Sequence, residues 1–87
     1  MRSKAVKDTL RWMINRNYLG GKHMPEGRIF QRWKNLSKSE HREAINEWEF
    51  LIKQLQWVFR MKKTGDVHVT LNSEKRPEII RYIKTEV

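Results

Sequence analysis

From Trp57 to Leu71 apolar residues alternate with polar ones along two runs that meet near a glycine. Trp57, Phe59 and Met61 recur at every second position on the way in, and Val67, Val69 and Leu71 on the way out. A period of two belongs to strands covered on one face, so the stretch predicts a two-stranded β-ribbon. Pairing Met61 with Val67 brings Phe59 opposite Val69, Trp57 opposite Leu71 and Lys62 opposite Asp66. Lys63, Thr64 and Gly65 are then a three-residue loop, with glycine where a left-handed residue is needed. This register turns Arg60, Lys62, His68 and Thr70 outward and puts Lys63 at the apex. The predicted ribbon has an apolar underside and a cationic tip.

Helical patterns surround it. Val6, Leu10, Met13 and Ile14 share one face of a helix expected from about Ser3 to Tyr18, while Lys4, Lys7 and Arg11 share another. Gly20 and Gly21 are expected to end it. Pro25 and Glu26 open a second helix to about Lys34, with Ile29, Phe30 and Trp33 inward and Arg28 and Arg32 outward. Ser37, followed three residues later by Glu40, has the capping-box arrangement. It starts a long third helix with an inward stripe of His41, Ala44, Ile45, Trp48, Leu51, Ile52 and Leu55. After the ribbon, Ser73 and Pro77 announce a C-terminal helix over about residues 74–85, returning Ile79, Ile80 and Ile83 to the core. The expected class is mainly α with one β-hairpin, folded as a single domain. At 87 residues there is room for one core and not two.

The order of helix, helix, tight turn, helix and ribbon resembles a winged helix-turn-helix domain over roughly Ala5 to Leu71. One expected part is missing from the pattern: Leu19 to Met24 is rich in glycine and poor in β-formers, so no strand is predicted between the first two helices. The resemblance implies that the third helix enters the DNA major groove and that the ribbon is a wing on the backbone or minor groove. On that implication Ser39, Arg42 and Asn46 read bases, since arginine can grip guanine and asparagine adenine through paired hydrogen bonds. Arg28, Arg32, Lys38, Lys53, Arg60, Lys62, Lys63 and Thr64 would hold the backbone.

Charge supports a polyanionic partner and complicates its placement. Nineteen Lys and Arg against ten Asp and Glu leave a net charge of +9, which favours nucleic acid, duplex DNA foremost and RNA as an alternative. Residues 37–55, however, hold three basic and four acidic side chains, a net −1, whereas residues 1–36 carry +7 and residues 56–87 carry +3. The third helix is therefore also readable as a protein-binding surface. Phe50, nearly opposite Trp48 on that helix, strengthens the rival reading of a homodimer or scaffold contact.

Other chemistries find little in the sequence. His23, His41 and His68 form no pair at helical metal-ligand spacing. Glu40, Glu43 and Glu47 have no histidine, serine motif or glycine loop beside them, so neither catalysis nor a cofactor is expected. Gly20-Gly21-Lys22 lacks the spacing of a phosphate-binding loop. With no cysteine, disulfides and thiolate metal sites are excluded. No apolar run approaches the length of a membrane span, and the basic helix lacks an aromatic inserting face. A cytoplasmic or nucleoid protein is the expectation.

Overall fold

The computed structural model describes residues 3–85. Its elements run α1 (Lys4–Asn15), β1 (Met24–Pro25), α2 (Glu26–Arg32), α3 (Lys38–Lys53), β2 (Val58–Lys63), β3 (Asp66–Leu71) and, after a 3₁₀ turn at Ser73–Lys75, α4 (Arg76–Ile83). Four helices and a three-stranded antiparallel sheet make an α+β fold, with β3 central between β1 and β2.

Helix α1 starts at Ser3, whose hydroxyl accepts a hydrogen bond from the Val6 amide at 3.3 Å. It buries Val6, Leu10 and Met13, the stripe its spacing predicts. The helix stops before the glycines. Asn17 adopts a left-handed φ of 63°, which asparagine tolerates better than most side chains, and Gly20 repeats the turn at 61°. The chain then forms β1, a strand the composition argued against. Met24 pairs with Val69 and Pro25 with His68, and burial of Met24 in the core outweighs the weak local propensity. Pro25 sits on the edge strand, where its missing N–H breaks no ladder.

Pro25 also occupies the N-cap position of α2, one residue earlier than a first-turn proline, and α2 buries Ile29, with Trp33 buried just beyond its end. The Trp33 indole N–H donates to the Thr9 hydroxyl at 3.0 Å, and its ring meets Trp48 edge-on at 5.8 Å. At the start of α3 the capping box closes in both directions. The Glu40 amide donates to the Ser37 hydroxyl at 3.2 Å and the Ser37 amide to the Glu40 carboxylate at 3.0 Å. That amide hydrogen bond holds the Glu40 carboxyl below its ordinary value. Ala44, Trp48 and Leu51 are buried and Ile45 and Ile52 half-buried, but His41 and Leu55 at the two ends of the predicted stripe are exposed.

The hairpin register differs from the predicted one by a residue on β2. Lys63 pairs with Asp66, Met61 with His68, Arg60 with Val69 and Val58 with Leu71. The loop is two residues, Thr64 and Gly65, both at positive φ (47° and 88°), the geometry of a type I′ turn. Changing the loop from three residues to two exchanges the faces of β2. On β3, Val69 and Leu71 are buried as predicted, but Val67 is exposed. Thr70, expected outward, is buried with its hydroxyl donating to the Lys22 carbonyl at 2.7 Å. Val58 is therefore buried, Phe59 is 43% exposed, and Arg60 points to the helical side. Trp57 is still buried, but just before the strand, where its ring meets Tyr82 edge-on at 5.5 Å.

Helix α4 closes the core with Ile79 and Ile83. Lys7 and Arg11 donate to the carbonyls of Thr85 and Ile83 beyond and at its end. Cations placed against a helix C-terminus oppose its dipole favourably. Of the α1 cations Lys7 is buried, while Lys4 and Arg11 are exposed.

Candidate nucleic-acid interface

The exposed side of α3 carries Lys38, Ser39, Arg42, Asn46, Phe50 and Lys53, all open to solvent. Ser39, Arg42, Asn46, Phe50 and Lys53 follow one another at three- and four-residue spacing, so they form a single line along the helix. Phe50 is 48% exposed within that line.

The acidic residues of α3 do not accompany them. Glu47 is buried and accepts hydrogen bonds from the Ser3 amide and the Tyr82 hydroxyl. Glu40 closes the capping box. Glu49 turns toward β2, where Arg60 Nη2 lies 2.8 Å from its Oε2, with Lys53 at 3.5 Å. The Arg60 hydrogen bond lowers the Glu49 carboxyl pKa. Among the described residues, only Glu43 of the four acids has no ion pair or hydrogen bond. Lys38 and Arg42 thus share the solvent side of α3 with two exposed carboxylates that form no ion pair among the described residues, Glu43 and Glu40, the latter hydrogen-bonded by the Ser37 amide.

Arg60 was expected on the outer face as a backbone contact, and the structure corrects this. Its guanidinium reaches Glu26 Oε2 at 2.7 Å through Nη2 and both Glu26 oxygens at 3.1 Å through Nε. Glu26 also accepts from the Trp48 indole at 2.8 Å. Shared between two carboxylates, the guanidinium has its pKa raised, above all by the hydrogen bonds it donates to Glu49 and Glu26. Arg60 is a fastener between β2, α2 and α3. Lys62, expected outward, pairs with Val67 and so shares the Arg60 face, and Lys63, expected at the apex, ends β2 opposite Asp66. Both are nevertheless exposed beside Thr64 at the tip and form no ion pair among the described residues.

Arg28 and Arg32 point to solvent from α2 as predicted. Arg32 is not isolated, because its guanidinium lies 4.6 Å from the centre of the Trp12 ring. Spacing along the chain gave no sign of one further pair. His23 and His68, 45 positions apart, come within 2.8 Å through their Nδ1 atoms because β1 pairs with β3 at that point. Among the described residues no three His, Asp or Glu side chains gather to hold a metal ion, and no helix is long and apolar enough to cross a membrane. A cleft of about 600 Å³ between α1 and the start of α3 is lined by groups of both signs, Lys4 and Arg32 with Asp8, Glu40 and Glu43. No family model, curated protein or solved structure matches the chain.

Proposed function

We propose that the chain is a winged helix-turn-helix module that binds duplex DNA, with α3 in the major groove and the β2–β3 hairpin as a wing against the backbone. The observation that carries this reading is the exposed line of Ser39, Arg42 and Asn46 on a helix whose acids are largely engaged elsewhere. It is supported by β1, the strand between the first two helices that the sequence pattern lacked, and by the free lysines at the hairpin tip. Arg42 and Asn46 would probe base edges, while Lys62, Lys63, Arg28 and Lys38 hold phosphates. Such a module serves a transcriptional regulator or docks a replication or mobile-element machine on DNA in the nucleoid. Neutralising roughly four to six phosphates gives a slope of log K on log salt near −4 to −5. A salt-independent affinity overturns the proposal.

Exposure of Phe50 favours a second reading, in which α3 packs on a second copy or another protein. Gel shifts with duplex, single-stranded and RNA probes beside sedimentation separate the two. Dimerisation abolished by Phe50→Ser, without duplex binding, selects the second reading.

A further inference from the structure

Trp12 is the centre of a second cationic group, toward the C-terminal end of α1. The guanidinium of Arg16, one turn along α1, lies 5.5 Å from its ring centre, and that of Arg32, the last residue of α2, lies 4.6 Å away. Two helices thus deliver an arginine each to one indole. Tyr18 extends the surface, its ring centre 5.8 Å from that of Trp12, and Lys22 Nζ sits 5.0 Å from the Tyr18 ring. Lys22 also donates to the Arg16 carbonyl at 3.1 Å, which ties the loop lysine to the helix end.

Among the described residues these cations have no carboxylate at ion-pair distance, although Arg32 shares its cleft with Asp8, Glu40 and Glu43. Elsewhere on α1 the basic residues are compensated: Lys4 and Arg11 lie against Asp8, and Lys7 against the Thr85 carbonyl. Arg16, Lys22 and Arg32 are exposed and form no ion pair among the described residues. Their aromatic partners hold them in place without neutralising them. A cation over an aromatic ring is attracted by the negative face of the ring, and a guanidinium held this way keeps its N–H edge for an incoming acceptor. Such side chains lose less conformational freedom when they bind, and arginine's planar fork matches phosphate oxygens.

The position of the group separates it from the hairpin tip. The Tyr18 carbonyl accepts from the Leu71 amide at 3.0 Å and the Gly20 amide donates to the Leu71 carbonyl at 3.2 Å. This fastens the loop at the end of β3 opposite Thr64 and Gly65. A six-residue strand spans roughly 20 Å, which corresponds to about six base pairs of duplex at 3.4 Å each.

We propose that Arg16, Arg32 and Lys22, seated on Trp12 and Tyr18, are a second phosphate-binding site for the duplex backbone, at the opposite end of the sheet from Lys62 and Lys63. The inference rests on the nucleic-acid reading and adds to it a two-ended grip. Fluorescence anisotropy of a labelled 20-base-pair duplex, titrated from 50 to 300 mM salt, tests it. Arg16→Gln with Arg32→Gln should shrink the salt slope by about two and weaken binding at least tenfold near 150 mM. Arg16→Lys with Arg32→Lys should restore the slope. Wild-type affinity and slope in the glutamine pair, while Lys62→Gln with Lys63→Gln loses binding, overturns the second site and leaves the first reading standing. A lysine pair as defective as the glutamine pair assigns the arginines to packing and also overturns it. No duplex binding by the unaltered protein at 50 mM salt overturns both.

Discussion

Arg60 and Glu26 lock the hairpin to the helices: their side chains meet at 2.7 Å, with the Glu26 side chain only 7% exposed and also bound by the Trp48 indole. A carboxylate that deeply placed depends on its partner, because removing the cation leaves a desolvated charge. Arg60→Met should therefore destabilise the fold by about 2–3 kcal/mol, below the range for fully buried pairs because the arginine is partly solvated. Glu26→Gln in the same chain should recover part of the loss. Equilibrium urea unfolding of the two variants measures both. If Arg60→Met unfolds like the wild type, the pair does not hold the hairpin.

The lysines at the tip and the arginine on α3 are expected to fail differently. Lys62→Gln with Lys63→Gln removes phosphate contacts that carry no sequence information, so affinity should fall alike on every duplex and the salt slope should shrink by about two. Arg42→Ala should instead flatten preference among sequences, at about 1–3 kcal/mol for the favoured base pair. Competition binding against a randomised duplex pool shows which occurs. Parallel losses from both changes would mean that α3 does not read bases.

Helical periodicity carried most of this fold. The stripe of Val6, Leu10 and Met13, the Ser37–Glu40 box and the burial of Trp48 all arise from contacts three or four residues apart, where local letters and tertiary packing agree. The hairpin was legible as an element but not in its facing, because the alternation of Trp57, Phe59 and Met61 argued for one parity of β2. Trp57 lies outside the strand, and the inward place of Arg60 is set by Glu26 and Glu49, 34 and 11 positions away. Strand β1 and the His23–His68 contact were hidden for the same reason, since each exists only once β3 arrives. The aromatic seat of Arg16 and Arg32 likewise needs α1 and α2 to converge on Trp12.

Thr64 offers a stabilising change. It holds φ 47° as the first residue of a two-residue type I′ turn with Gly65, a conformation costly for a β-branched side chain and easy for asparagine. Thr64→Asn should raise stability by about 0.5–1 kcal/mol. Thermal unfolding at fixed pH and salt reports this directly, and a lowered midpoint would mean that the threonine makes a compensating contact. Because the change leaves Lys62 and Lys63 in place, duplex affinity should stay within a factor of a few. A large loss would assign the Thr64 hydroxyl a direct role at the backbone.

Glu49 gives the fold an acid-sensitive component. The hydrogen bond from Arg60 holds its carboxyl below the ordinary value, so the folded chain binds that proton less readily than the unfolded one. Stability from the pair is then complete above the unfolded carboxyl value, about 4.3, and drains as pH falls through the lower folded value. Glu49→Gln lacks this component at every pH. The gap in unfolding free energy between wild type and Glu49→Gln should be widest near neutrality, hold down to about pH 5, and narrow as the solution is taken toward pH 3. Urea titrations across that range decide it. A gap that stays constant down to pH 3 would show that Arg60 draws its anchorage from Glu26 alone, and one that widens in acid would contradict the placement of the Glu49 carboxylate beside the guanidinium.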